Sequence, residues 1–331
     1  MAYNPDAPLA TLADLQLAYQ VVRKSPLCVR TPMLHHVQDR MEMKEDMDLH
    51  LKLENMQITG SFKVRGLANQ LAHIPSSVAN KEQSTITMSA GNYGKAYAFA
   101  TNQLGLKAMC LMPETAPENR AKVLQGFGVC VEKLPTPELQ VRVDQYCEEK
   151  GMHYLHPFDD INLITGHGSC GLEMLEEVPD PDIVIVCCGG GGLVAGIAAA
   201  VKLTGQCSST RVYGVEPEGA NTMYQSFKAG EAVKDPTVHT IAAGLAPPMA
   251  GSNTYKHCHA FVEDIILVSD EEILDAVAFL YKAGLVVEPS GAAAFAALRS
   301  SKIPDVKGKR VVAVITGGNV TPQELTQLIT V

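Results

Sequence analysis

Apolar residues in this chain fall into short unbroken runs, separated by longer stretches in which they recur every three or four positions. Runs of strand length lie at 49–53, 84–88, 107–112, 182–187, 211–216 and 310–316. Between them, 93–104, 116–127, 161–178, 193–203 and 270–284 carry helical patterning. Strand alternating with helix at this length predicts an α/β protein with mostly parallel sheets and helices on both faces. Several runs, such as "DIVIVC", are nearly all apolar, as strands covered on both faces are.

No fixed-period repeat or low-complexity linker marks a boundary. Charge density rises between about Lys81 and Lys150, and prolines gather at Pro135, Pro137 and Pro157. This predicts a small domain at 84–156, set into a large one made of 1–83 and 157–331.

Composition narrows the function. The 331 residues are 46% hydrophobic and 19% charged, an ordinary globular balance. A net charge of -9 without a basic block argues against nucleic acid as partner. No apolar run reaches membrane-spanning length, and the start "MAYNPDAPLATLADLQ" lacks the form of a signal peptide. The nine cysteines are scattered and contain no C-x-x-C, which fits reduced thiols in a cytoplasmic protein.

Three glycine-rich loops each follow a predicted strand. In "VIVCCGGGGLVAG", Gly189, Gly190, Gly191 and Gly192 separate a buried strand from a helix that opens at Leu193. Without side chains, successive N–H groups can turn toward one anion, and the helix N-terminus adds partial positive charge. One glycine would serve a tight turn; four in a row point to a phosphate. The loop is neither a Walker loop nor a dinucleotide fingerprint, since the lysine of the first and the spacing of the second are missing. In "MSAGNYGKA", Ser89 and Asn92 stand with several N–H groups at a helix start, which suits a carboxylate but equally a plain helix cap. In "AVITGGNVT", Thr316 ends a strand at its carboxyl end, where α/β proteins bind ligands.

Lys63, in "TGSFKVRG", sits where a glycine turn, Phe62 and a helix start converge. A lysine near the positive end of a helix and partly desolvated has its ammonium disfavoured, so the neutral amine becomes available as nucleophile or base. Alone, Lys63 reads as an exposed helix lysine. Together with a phosphate loop, it points to a phosphorylated aldehyde bound through that amine, which is pyridoxal 5'-phosphate.

The five segments "TGSFKVRG", "SAGNYG", "CCGGGGLVAG", "VEPSGA" and "TGGN", in this order, closely resemble the serine racemase and serine/threonine dehydratase group of fold-type II pyridoxal-phosphate enzymes. The resemblance runs from about Pro26 to Val320. It implies a tryptophan synthase β-like fold with two domains, each a mostly parallel twisted sheet flanked by helices, and a homodimer. It also implies that Lys63 holds the aldehyde, Phe62 packs on the ring and Asn92 meets the ring hydroxyl. Gly189 to Gly192 with Leu193 hold the phosphate, Thr316 meets the ring nitrogen, and Glu288 belongs to the cofactor site. The segment Ser89, Ala90, Gly91, Asn92 and Tyr93 receives the substrate carboxylate. The implied reaction is loss of water from L-threonine or L-serine, giving a 2-keto acid and ammonia.

Racemisation requires a second acid/base on the other face of the ring. The racemases of this group carry serine at the position of Ala90, so elimination is favoured and racemisation is the alternative, with Ser89 as a substitute proton donor. Tyr93 stands where the group usually has histidine, which changes the substrate pocket. The group's Mg2+ or Ca2+ site maps onto Glu216 and Ala220, with Thr222 in place of its second acid. A β-replacement enzyme and a catalytically silent cofactor-binding protein are the remaining readings.

Overall fold

The computed structural model describes residues 8–205 and 209–329. Its strands, in chain order, are β1 (Met33–Leu34), β2 (Asp48–Leu53), β3 (Thr85–Met88), β4 (Ala108–Pro113), β5 (Cys130–Leu134), β6 (His153–Tyr154), β7 (Ile183–Cys187), β8 (Arg211–Pro217), β9 (Asp264–Val268) and β10 (Arg310–Ile315). They form a six-stranded sheet in the order β1-β2-β10-β7-β8-β9 and a four-stranded sheet in the order β5-β4-β3-β6. All pairings are parallel except β1 with β2. Each of the six expected runs is a strand. The short β1 and β6, the charged β5 and the edge strand β9 add to them.

The apolar strands of the large sheet are buried on both faces, and their period of two divides the core. Ile183, Ile185, Val311, Ala313 and Ile315 face one cluster, which is completed by the helices Asp270–Lys282 and Pro289–Arg299. Val184, Val186, Val312 and Val314 face the other, against the helices Ile161–Glu177 and Gly192–Leu203. Each such Val or Ile contributes about 1.5–3 kcal/mol by leaving water. The small sheet packs Cys110 and Met112 against the helices Lys63–Ala72 and Asn92–Leu104, through Leu67, Tyr93 and Tyr97. Residues on both sides of the small sheet's sequence thus share its core.

The helix Ile161–Glu177 holds two neighbours at backbone distance. A Cβ at Gly166 would lie 2.8 Å from the Cα of Gly66, on the helix Lys63–Ala72. A Cβ at Gly168 would lie 3.0 Å from the carbonyl oxygen of Gly196, on the helix Gly192–Leu203. Side chains at these points would force the helices apart.

Beneath the same helices lies a buried ionic network. Arg65 is 1% exposed and grips two carboxylates: Nε and Nη2 each donate to Glu54 at 2.8 Å, and Nη1 and Nη2 each donate to Glu173 at 3.0 Å. Lys52, fully buried on β2, adds a bond from Nζ to Glu173 at 2.7 Å. Burial pushes the Glu173 carboxyl up, but Arg65 and Lys52 more than offset this and leave it below the usual carboxylate range. Among the described residues, no helix is long and apolar enough to cross a membrane, and the eight cysteines are unpaired.

Candidate active site

The chain reaches Lys63 by a strap to the end of β10. Ser61 pairs with Gly317 in an antiparallel bridge, and the Phe62 N–H donates to the Thr316 carbonyl at 3.2 Å. Lys63 then opens its helix with its side chain at the carboxyl ends of the parallel strands. Its Nζ donates to the Pro157 carbonyl at 3.3 Å and stands 5.0 Å from the Phe62 ring centroid. The side chain keeps some accessible surface, yet protein packs closely around it. Burial pushes the ammonium down to about 8, and nearby Cys187 opposes the shift only in part.

Thr316 is buried at the same place. Its Oγ1 lies 3.0 Å from the Cys187 Sγ and donates to the Ser290 carbonyl at 3.4 Å. Cys187 is the last residue of β7, directly before Cys188 and the glycine loop. Sequence reading attached no role to Cys187, although it touches Thr316 and influences Lys63.

The four glycines make a cradle that their neighbours leave no room to fill. A Cβ at Gly190 would penetrate the Phe158 ring, and one at Gly192 would lie 3.0 Å from the Phe158 carbonyl. Gly191 has φ +90, a left-handed conformation in which a Cβ would also meet Met223 at 2.6 Å. The helix Gly192–Leu203 begins here, so Leu193 is its second residue and the partial positive charge of its N-terminus faces the loop.

The amine and the cradle are joined by "HPFDD", a segment that sequence reading passed over. Pro157 receives the Lys63 Nζ, and Phe158 lies against Gly190. The turn is held by His156, whose Nδ1 accepts from the Phe158 and Asp159 N–H groups at 3.3 and 2.9 Å. Burial keeps this imidazole neutral, with its pKa pushed down to about 4. A second buried imidazole, His167, accepts the Gly66 N–H at 3.1 Å and meets the Phe62 ring edge-on at 4.9 Å. A histidine between glycines in "TGHG" was the available signal, but at the level of sequence it reads as one residue of an apolar helix.

Asn92 opens the helix Asn92–Leu104. Its Nδ2 donates to Glu288, and its Oδ1 accepts from Asn319 at 2.8 Å. Burial pushes the Glu288 carboxyl up, with Asn92 opposing. Asn319 also accepts from the Lys95 Nζ at 2.6 Å. The motifs at 89–94, 287–292 and 316–319 thus meet through side chains. Ser89 caps the helix start, since its Oγ accepts from Gly91 at 3.3 Å and Gly94 at 3.0 Å. Gly91 is exposed, and Ala90 packs partly into the small sheet's core. Tyr93 is buried, donates to Gln70 at 2.6 Å and stacks with Tyr97, which places its hydroxyl in the interior.

Glu216 is fully buried at the end of β8. Its two oxygens accept from the Met223 and Tyr224 N–H groups at 3.0 and 2.8 Å, capping the helix Thr222–Ala229. Burial pushes its carboxyl up to about 8, and those donors oppose the shift. Ala220 lies in the turn just before, donating its N–H to Pro217. Among the described residues, no second carboxylate joins Glu216 in a cluster of three ligating side chains.

Comparison with known proteins finds relatives over nearly the whole chain. The chain is 35% identical to the catabolic L-threonine dehydratase TdcB of Staphylococcus aureus strain USA300 over 319 residues, covering 95% of this chain and 90% of that one. It superposes on maize serine racemase with a TM-score of 0.86 at 29% identity, covering 97% of each chain. Threonine deaminase isoform 2 of Solanum lycopersicum, in its processed form, gives a TM-score of 0.85 at 29% identity, covering 97% of this chain and 89% of that one. The family model for pyridoxal-phosphate dependent enzymes matches residues 24–317. A buried amine, a glycine cradle beside it and that match lead to one conclusion: this chain belongs to the pyridoxal-phosphate dependent enzyme family.

Proposed function

We propose that the protein removes water from L-threonine or L-serine, releasing a 2-keto acid and ammonia. The observation that carries this reading is the Lys63 amine, its pKa lowered to about 8, joined through Pro157 and Phe158 to the cradle of Gly189 to Gly192. These residues fit the cofactor. An amine whose pKa is lowered to about 8 has a far larger neutral fraction near physiological pH than an ordinary lysine, which suits an aldehyde, and a loop without Cβ atoms exposes N–H groups to a phosphate.

In this reading Lys63 would hold the aldehyde carbon. The N–H groups of Gly189 to Gly192 and Leu193 would hold the phosphate, and the Thr316 hydroxyl would meet the ring nitrogen. Phe62 would pack against the ring, and Asn92, fixed by Glu288, would meet the ring hydroxyl. When bound, pyridoxal phosphate draws electrons from the amino acid's α-carbon and makes its proton removable. Lys63 Nζ, released from the aldehyde carbon when the substrate amine takes its place there, would take that proton. The loop from Ser89 to Tyr93 binds the substrate carboxylate and fixes the α-carbon near Lys63. A hydroxyl rather than a carboxylate at the ring nitrogen limits electron withdrawal, which favours prompt departure of the β-hydroxyl.

Ala90 has no proton to deliver to the opposite face, which supports elimination over racemisation. The likeness to serine racemases keeps racemisation as the second reading. The same proposal divides the chain into a large domain of 1–83 and 157–331 and a small one of 84–156. It takes the working form to be a cytoplasmic homodimer, on family resemblance, which sedimentation tests.

The decisive assay incubates the holoenzyme with L-threonine and L-serine and follows keto acid, D-isomer and sulfide-dependent cysteine. Keto acid as the main product supports the proposal. D-serine in excess of pyruvate overturns it in favour of the racemase. Cysteine formation marks β-replacement, and no turnover by a yellow protein marks a silent binder.

A further inference from the structure

We propose that His36, Asp48 and His50 form a binding site for a divalent transition-metal ion of the zinc type, at the end of the large sheet opposite the cofactor cleft.

The fold brings these residues together in a definite way. β1 runs antiparallel to β2, with Met33 opposite Lys52 and Leu34 opposite Leu51. The chain leaving β1 therefore carries His35 and His36 past the start of β2, where Asp48 and His50 lie. Leu53, at the cofactor end of the same strand, is ~16 Å farther along at the usual rise of a strand. His36 has φ +52, a left-handed backbone uncommon for a residue with a Cβ, and its Nδ1 lies 2.6 Å from Asp48 Oδ1. His50 Nε2 lies 3.2 Å from Asp48 Oδ2. One ligating atom from each of the three residues falls within 4.8 Å of the others. Tetrahedral zinc with these ligands places neighbouring donor atoms roughly 3.3 Å apart, so small side-chain rotations close the site. His36 is exposed and free to make them.

The second observation is His50 itself. The residue is 3% exposed, and the polar group nearest its Nε2 is the Asp48 carboxylate at 3.2 Å. A buried ring nitrogen facing a carboxylate is placed to ligate a metal ion that the carboxylate also binds. The opposite nitrogen is already oriented for that role. His50 Nδ1 lies 3.2 Å from His35 Nδ1, and His35 Nε2 lies 3.6 Å from the Glu177 carboxylate. Histidines that bind metal through one nitrogen commonly use the other in such a chain, which fixes the tautomer and raises basicity. Two imidazoles and one carboxylate with an open fourth position match zinc and its neighbours rather than calcium or magnesium. Arg310 Nε, 3.6 Å from Asp48 Oδ2, opposes a cation there; it is half-exposed and would turn outward when the ion binds.

The test uses the full-length holoenzyme, free of any affinity tag and passed over a chelating resin. Zinc is titrated against a chromophoric chelator, and cobalt is added in parallel for its visible spectrum. The expected result is one zinc ion per chain, with cobalt bands typical of tetrahedral nitrogen and oxygen ligation. His36→Asn keeps a residue that tolerates the left-handed backbone and lies on the surface, so it folds normally. It should weaken zinc binding at least tenfold, and His35→Ala by a smaller factor. Zinc bound as tightly by His36→Asn, or no zinc bound by the parent protein, overturns the proposal.

Discussion

The N–H of Phe62 donates to the carbonyl of Thr316 at 3.2 Å, so the residue before Lys63 is pinned to the end of β10, where the proposed function puts the cofactor ring. Two segments some 250 positions apart thereby share one anchor, and the amine is aimed before any ligand arrives. Lys63→Ala keeps this strap and removes only the amine. It should fold, lose the cofactor's visible absorbance and lose at least ~10³ in activity. Full activity in this variant would refute the role given to Lys63.

The lowered pKa of Lys63 makes a pH prediction whose sign is fixed. Below about 8 the amine is mostly protonated and cannot attack an aldehyde; above it the neutral form prevails. Capture of pyridoxal phosphate by the cofactor-stripped protein should therefore rise with pH, with its midpoint at about 8. A midpoint near the ordinary lysine value of 10.5 would show that burial does not tune the group.

Gly190→Ala places a methyl into the Phe158 ring and should cost about 1–3 kcal/mol of stability together with most of the cofactor affinity. Gly126→Ala is the control, because a Cβ there meets nothing within 4 Å. It should be neutral or stabilising by up to about 1 kcal/mol. Denaturant titration of both, with and without cofactor, checks the contrast. Equal stability and affinity would remove the steric argument for the cradle.

Arg65→Met leaves the Glu54 and Glu173 carboxylates buried without their main partner and should destabilise by about 3–5 kcal/mol. Arg65→Lys should recover only part of this, since one ammonium cannot match a guanidinium that spans both carboxylates. A loss below about 1 kcal/mol, measured by chemical unfolding, would mean that the network relaxes around the gap.

Ala90→Ser adds the hydroxyl that the second reading requires. The ratio of D-serine to pyruvate should rise by about tenfold or more. An unchanged ratio would show that the second face is controlled elsewhere.

What could be read from the chain depended on how far apart the interacting residues lie. Apolar runs such as "DIVIVC" and "RVVAVI" announce strands because their neighbours in sequence carry the signal, and both are buried strands. Lys63 and the glycine cradle were visible as local motifs. The bond from Lys63 to Pro157 spans 94 positions and left no local mark. β2, "DLHLKL", alternates like a strand with one wet face, yet Lys52 is fully buried because Glu173 waits 121 positions away. Tyr93 was read as part of the substrate loop; its hydroxyl is bound to Gln70, a partner that only the packing of two helices supplies. Glu216 was read as a metal ligand, and its two backbone donors come from a helix start that the sequence did not announce.

The glycine contacts on both sides of Ile161–Glu177 bear on rigidity. One rod touches, backbone to backbone, both the helix that begins with the lysine and the helix that begins at the cradle. Backbone contacts at Gly166 and Gly168, with the buried His167 ring held against Gly66, fix the spacing between Lys63 and the glycine loop. In the proposed binding mode, the energy of cofactor docking is then not spent on reshaping the protein around it.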